Sequence, residues 1–458
     1  MRLLGAGNSS VVFALPDDDA AEAARAEKRE EGASEAEAVA SVAERLLAGG
    51  GGTLQRLRGR LALRLSKAIT SACSTCDQAL ADFVGFRHEI SLTEALAKSC
   101  AAAAAASPSL RQHCEGAGHA HVIPNFAVNP ALLLGGKRGS RWLAVEIKPK
   151  GVWRPPRVVG IVVDGVKYYI NPVKLHQCRF SLMQFFKHEQ HRVGMTLPGE
   201  TDSMYCPNMV LLGDQSSVAA GLLHLIRCPA NNFRFIPVEN PLGEIRDADV
   251  EGLSTALHES GVLKVLGNLQ MYGSGSHADW EVLDIELLYR WSCAREMSSV
   301  RWIVRASEAS TSLNVECDCR RGIRAAAMEA GRTEDIKTHL LSPPMGLAEC
   351  VDRFYASTTG KDVSVVVSLL RGSAAAAVGD GPAGSRRPLE LAQWKSSHGG
   401  VFVDFGFPTA SIFRIGVVDI DAKLHKPLRH YFMLDKDILA AWERWKSASM
   451  PPLRGDAA

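Results

Sequence analysis

Two short runs in the last quarter of the chain, Val363 to Leu370 and Ile415 to Ile420, are almost unbroken series of β-branched and aliphatic residues. A strand of that kind has no polar face, so it belongs inside a sheet covered on both sides. Enclosing it takes a layered body of sheet and helix, which excludes a small disulfide-stapled domain. The 458 residues allow that body: at roughly 100 to 200 residues per domain they make two to four domains or one pair of lobes. Hydrophobic residues at 46% and charged residues at 22% supply the core and exclude global disorder. Each run borders an aspartate, Asp362 and Asp419.

With 52 Lys+Arg against 50 Asp+Glu, the net charge of +2 offers no bulk attraction for nucleic acid or a membrane surface. Any anion site must therefore be a local cluster. No window approaches the roughly 18 consecutive apolar residues of a membrane span. The polar GAGNSS between Arg2 and the apolar Val11 to Leu15 interrupts any signal-peptide core. Eleven cysteines, an odd number spread over a long chain, suit a reducing compartment, so a cytoplasmic or nuclear protein is expected.

Leu3 to Leu15 reads as strand, glycine turn and strand. Asp17 to Leu47 is helix-forming but polar all round, a solvated insertion closed by Gly49 to Gly52. A further strand is expected at Leu61 to Leu65, an amphipathic helix over Asp82 to Ser99 and a low-complexity loop over Ala101 to Gly118. Short buried strands are expected at Ala131 to Leu134 and Trp142 to Ile147. Helical periodicity covers 178–191, 216–228, 281–293 and 433–445, and the Gly/Ala/Ser/Arg-rich 371–400 reads as a flexible loop.

Four segments carry candidate chemistry. In Gly5-Ala6-Gly7-Asn8-Ser9-Ser10 the missing β-carbons let backbone N–H groups approach a phosphate chain, although a plain hairpin turn has the same composition. In VEIKPK, alternation sends Glu146, Lys148 and Lys150 to one side of a strand and Ile147 to the other, toward one site or a solvated face. Arg179, Met183 and Lys187 share a helical stripe, which could face an anion or simply solvent. Asp419 and Asp421 point the same way before Lys423, Lys426, Arg429, His430 and Tyr431, the order required of metal-bound ATP beside a polyanion, or of an ordinary charged turn.

Two further signals are discounted. Asp404-Phe405-Gly406 spells a protein-kinase motif, but no HRDxxxxN segment precedes it, and it reads as a turn. Cys73-x-x-Cys76 and Cys317-x-Cys319 lack second pairs at zinc spacing.

Taken in order, the segments resemble the inositol-pentakisphosphate 2-kinases. LGAGNSSVVFAL is similar to that family's glycine-rich hairpin, AVEIKPK contains its VEIKPK signature, and RFSLMQFFK, NNFRFI, LDIELLY, GKDVSVVVSL and VVDIDAKLHKPLRHYFMLDKDI resemble further blocks. The resemblance implies an α+β, two-lobed inositol polyphosphate kinase fold with ATP in the cleft. Residues 1–135 would form a smaller N-lobe with an antiparallel sheet and an insertion at 17–58. Residues 136–458 would form a larger mixed α/β C-lobe holding the inositide and metal sites.

The implied reaction moves the γ-phosphate of ATP to the 2-hydroxyl of inositol 1,3,4,5,6-pentakisphosphate, with Mg²⁺ as cofactor and a monomer expected. A kinase of different acceptor preference, or a non-catalytic inositol-phosphate sensor, are the alternatives. By the same resemblance Gly5, Gly7, Asn8, Arg64, Glu146, Asn232 and Arg234 would serve the nucleotide. Lys150, Arg179, Lys187, Asn231, Lys423 and Tyr431 would hold the inositide, and Asp419 would hold the metal. Lys148 would meet the transferring phosphoryl group, and Asp362 would act as base on the acceptor hydroxyl. Met183 departs from the family histidine, Lys426 and Arg429 stand at shifted positions for a family arginine, and the hinge Leu134 to Lys137 lacks polar side chains. Arg290 falls where a zinc-binding histidine would be, so structural zinc is not expected.

Overall fold

The computed structural model describes residues 2–6, 10–14, 61–66, 74–84, 88–91, 119–124, 142–190, 205–228, 232–236, 247–273, 280–295, 298–306, 337–370, 392–395, 401–404, 412–420 and 426–449. They form a mixed α/β protein with three antiparallel sheets. In chain order the first elements are β1 (Arg2–Ala6), β2 (Ser10–Ala14), β3 (Leu61–Ser66), α1 (Ser74–Ala79), β4 (His88–Ser91) and β5 (His119–Pro124). Next come β6 (Trp142–Ile147), β7 (Val158–Val163), β8 (Val166–Tyr169), α2 (Arg179–Gln190), α3 (Pro207–Leu211), α4 (Gln215–Arg227) and β9 (Phe233–Ile236). The remainder are α5 (Asp247–Glu259), α6 (Val262–Tyr272), α7 (Ile285–Ser292), β10 (Val300–Arg305), β11 (Thr338–Leu341), α8 (Leu347–Gly360), β12 (Ser364–Leu370), β13 (Ala392–Lys395), β14 (Val401–Asp404), β15 (Ile412–Val418) and α9 (Leu428–Ser449).

The first sheet, ordered β1-β2-β3-β5-β4, uses only residues up to Pro124. The expected glycine-hinged hairpin is its β1–β2 pair. The helix expected over Asp82 to Ser99 is corrected at His88–Ser91, which pairs with β5 as a strand, while a helix stands earlier, at α1; residues 85–87 and 92–99 lie outside the described residues. Ladder bonds to a neighbouring strand override a local helical pattern whose intrinsic value is only about a kcal/mol. Leu80 and Phe83 after α1 are buried in the large core with the later strands, and the Val417 amide donates to the Phe83 carbonyl at 3.0 Å. The segments 17–58, 101–118 and 131–134 lie outside the described residues.

The second sheet, β11-β10-β7-β8, turns between β7 and β8 at Asp164 (φ 47°) and Gly165 (φ 85°), the paired positive angles that a two-residue hairpin favours. The third is ordered β13-β14-β15-β12-β6-β9. Its centre is β12, buried at every residue, flanked by β15 (Val367 opposite Ile415) and β6 (Val365 opposite Ile147). The two apolar runs are thus neighbours with both faces covered, each fully buried Val or Leu contributing roughly 1.5–3 kcal/mol. The expected loop 371–400 is corrected in part, because Ala392–Lys395 forms an edge strand on β14.

The expected helices are present with moved ends. Asp214 caps α4 by accepting from the Ser217 amide, and Asp284 caps α7 by accepting from the Glu286 amide, so α7 starts later than its periodicity suggests. Helix α9 is longer than expected and docks on α2 through Phe185, Trp442 and Trp445, with ring centroids 4.8 to 5.3 Å apart. That aromatic wedge fixes the helix carrying Arg179 and Lys187.

Candidate active site

The site grows from the end of β6. Alternation buries Ile147 in the core and turns Glu146 to the opposite face, where it is buried too. A buried carboxylate needs compensation, and Glu146 has three sources. Arg234, its register partner on β9, donates to Oε2 through Nε and Nη2. Ser364 Oγ donates to Oε1 at 2.7 Å, and Lys148 Nζ lies 3.9 Å from the same oxygen.

Lys148 also lies 3.5 Å from Asp419 Oδ2, whose residue follows β15 in the left-handed region at φ 66°. Ser364 Oγ reaches that oxygen as well, at 3.0 Å. The single hydroxyl proton of Ser364 thus joins two carboxylates that lie 273 positions apart (419 − 146). An aspartate at positive φ costs of order 1–3 kcal/mol, and the surrounding contacts hold it there.

Two positions after Lys148, Lys150 also has a left-handed backbone (φ 64°), which turns the chain out of the strand. Its ammonium lies 3.7 Å from Asp362 Oδ1, at the C-terminal end of α8. Burial pushes the Lys150 ammonium below the usual lysine range, Asp362 opposes this, and the like charges of Lys148 and Lys187 add to it. Burial lowers Lys187 in the same way. The Tyr431 phenol is pushed up to about 12, by burial first and then by Tyr355 and the Asp362 carboxylate. Lys148, Lys150, Lys187, Tyr431, Asp362 and Asp419 therefore share one electrostatic neighbourhood.

Two buried residues tie this neighbourhood to the fold. Tyr205 Oη donates to the Pro149 carbonyl at 2.8 Å, between the two lysines. Gln270 of α6 accepts from the Val152 amide at 2.8 Å and donates to the Gly360 carbonyl at 2.9 Å, linking the chain after Lys150 to the turn before Asp362. Sequence reasoning missed Ser364, Tyr205 and Gln270. The available signal was a polar residue inside an apolar run, SVVVSLL for Ser364 and VLKVLGNLQMY for Gln270.

Arg179 stands at the other end of α2, paired with Asp435 of α9. Asp435 belongs to a second cluster: Lys174 Nζ lies 2.7 Å from both Asp435 and Asp284 and 3.7 Å from Glu286, and Lys436 pairs with Glu286. Asp284, Glu286 and Asp435 are close enough to hold a metal, but the Lys174 ammonium already sits on their oxygens. Burial opposes charge on both partners, yet the mutual contact wins, holding Lys174 above and Asp284 below their ordinary values. Between Arg179 and Lys187, Met183 packs against the apolar core of α2 and α9.

Oxygen donors that could hold a hard cation stand at the first cluster. Asp419 and Glu146 supply carboxylate oxygens, and Asn232 Oδ1 is buried without a hydrogen-bond partner among the described residues. The Asn232 carbonyl accepts from the Lys148 amide at 2.8 Å, which fixes that residue beside Lys148. Hard oxygen donors of this kind suit Mg²⁺. Gly5 lies in β1 and Arg64 in β3, opposite Val12 and His121, while Gly7, Asn8, Asn231 and Lys423 lie outside the described residues.

Three residues of the discounted signals and of the zinc position are described. Asp404 ends β14, Cys76 is buried with its thiol 3.6 Å from the Ala356 carbonyl, and Arg290 stacks over the Tyr168 and Phe432 rings. Cys73, Cys317, Cys319, Phe405 and Gly406 lie outside the described residues. Among whole-chain comparisons, the family model described as inositol-pentakisphosphate 2-kinase matches residues 4–437. No curated protein matches the chain.

Proposed function

The chain belongs to the inositol-pentakisphosphate 2-kinase family and is an ATP-dependent inositol polyphosphate kinase, and from that premise we propose a division of labour among its residues. ATP lies between an N-lobe of about residues 1–135, built on the β1–β5 sheet, and the larger C-lobe. Gly5, Gly7, Asn8 and Arg64 serve its phosphates from the first; Glu146, Asn232 and Arg234 serve it from the second. Asp419, with Asn232 nearby, holds Mg²⁺, which when bound neutralises charge on the phosphate chain. Lys150, Arg179, Lys187, Asn231, Lys423 and Tyr431 hold the phosphates of the acceptor.

Phosphoryl transfer through a loose transition state asks a protein mainly for alignment and for charge placed in advance. Lys148 stands where the two substrates meet and draws negative charge from the transferring group. Asp362 accepts a hydrogen bond from the acceptor 2-hydroxyl, orients it and takes its proton as the new P–O bond forms and the bond from the γ-phosphorus to the bridging oxygen breaks, that oxygen leaving on ADP. Lys150, 3.7 Å from Asp362 Oδ1, holds that side chain in place. The observation that carries this reading is the convergence of Lys148 with Asp419 at 3.5 Å and of Lys150 with Asp362 at 3.7 Å, on strands and turns remote in sequence.

Incubation of purified protein with ATP, Mg²⁺ and inositol 1,3,4,5,6-pentakisphosphate should yield inositol hexakisphosphate and ADP by ion-exchange chromatography. Lys148→Ala and Asp362→Ala should each lower kcat by roughly 10²- to 10³-fold without shifting the melting temperature. A folded wild-type protein that makes no hexakisphosphate would refute the proposal.

A further inference from the structure

We propose that Lys361 is an additional anchor for a substrate phosphate, acting beside Arg179, a role that rests on the inositol-phosphate reading of the pocket. The residue directly precedes Asp362, and its amide closes α8 by donating to the Ser357 carbonyl at 3.0 Å. Its aliphatic stem runs along Gly151, the residue after Lys150: a β-carbon placed on Gly151 would meet the Lys361 Cγ and Cδ at 3.5 Å. The stem is thereby held between the two turns that carry Lys150 and Asp362.

The charge inventory around the ammonium points to a missing anion. In the neighbouring cluster Asp284, Glu286 and Asp435 are answered by Lys174, Arg179 and Lys436, three charges against three. Lys361 is a fourth cation. Among the described residues its ammonium makes no hydrogen bond and no ion pair, and the charges that act on it are Arg179, which repels it, and Asp284, which attracts it. Burial and then Arg179 push it down to about 8. A partly buried cation in the field of another cation is unfavourable unless a polyanion completes the site. Lysine serves such phosphates as a point charge, and its fixed stem leaves little entropy to lose on binding.

Calorimetric titration of the full chain with inositol 1,3,4,5,6-pentakisphosphate, without ATP, tests this. Lys361→Met keeps the stem and removes the charge; it should weaken binding roughly 10- to 100-fold and leave KM for ATP within about twofold, while Lys361→Arg retains most of the affinity. If wild type does not bind the pentakisphosphate, the pocket reading fails and this inference with it. If wild type binds and Lys361→Met binds equally well, only the role of Lys361 is overturned. Should Lys361→Met not fold, amine acylation of wild type read by mass spectrometry decides. Protection of Lys361 by the pentakisphosphate supports the role, and a modification level unchanged by it overturns it.

Discussion

Around Lys174 an ammonium touches two carboxylates at 2.7 Å, whereas around Lys148 and Lys150 the same functional groups stand 3.5 to 3.9 Å apart. In the first cluster Lys174, Glu286 and Asp435 are buried, and its charges balance. The second is partly open, with the Asp362 side chain 50% exposed, and two of its backbone positions are left-handed. The buried carboxylates and Lys174 of that ion cluster fasten elements together, here α2, α7, α9 and the turn at Pro172–Leu175, with Arg179 at its exposed edge. A loose, strained one has contacts left to give to a ligand. Ionisable groups alone therefore do not mark a site; the distance between them does.

The contrast breaks most sharply at Lys174. Lys174→Met should leave Asp284 and Asp435 uncompensated and cost about 3–5 kcal/mol of stability in denaturant unfolding, with kcat of the remaining folded enzyme little changed. An unchanged unfolding midpoint would mean that the closed cluster is not a fastening. Ser364→Ala sharpens the other side: losing one proton donor to two carboxylates should cost about 1–3 kcal/mol. It should also raise the Mg²⁺ concentration needed for half-maximal rate, because Asp419 loses the contact that aims it; an unaltered Mg²⁺ requirement would remove Ser364 from the site.

The smallest effect is a pH dependence. The folded pKa of Lys361 lies near 8, below its ordinary 10.5, so folding disfavours the charged form. Its penalty is complete below about 8 and is relieved as pH rises toward 10.5, so the stability of ligand-free wild type relative to Lys361→Met should increase over that window. A flat difference in melting temperature from about pH 7 to 11, a range bracketing the shift, would contradict it.

Much of the fold was legible because its signals are local. The glycine hairpin, the alternation of VEIKPK, the helical periods and the two β-branched runs each depend on neighbours along the chain. The failures share a cause. His88–Ser91 and Ala392–Lys395 are edge strands, whose formation depends on a free partner edge elsewhere, and nothing within HEIS or AQWK announces it.

The same division runs through the site. Residue types and their order are written in the sequence: Glu146, Lys148 and Lys150 on one strand, an aspartate beside each buried run, and the blocks by which the family is recognised. Only the tertiary structure decided which charge meets which, that Lys148 takes Asp419 while Lys150 takes Asp362, that Ser364 joins two carboxylates, and that Lys174 rather than an ion fills the Asp284 cluster. Electrostatic pairing acts through space over a few ångströms, and antiparallel register, which no single segment encodes, sets those distances.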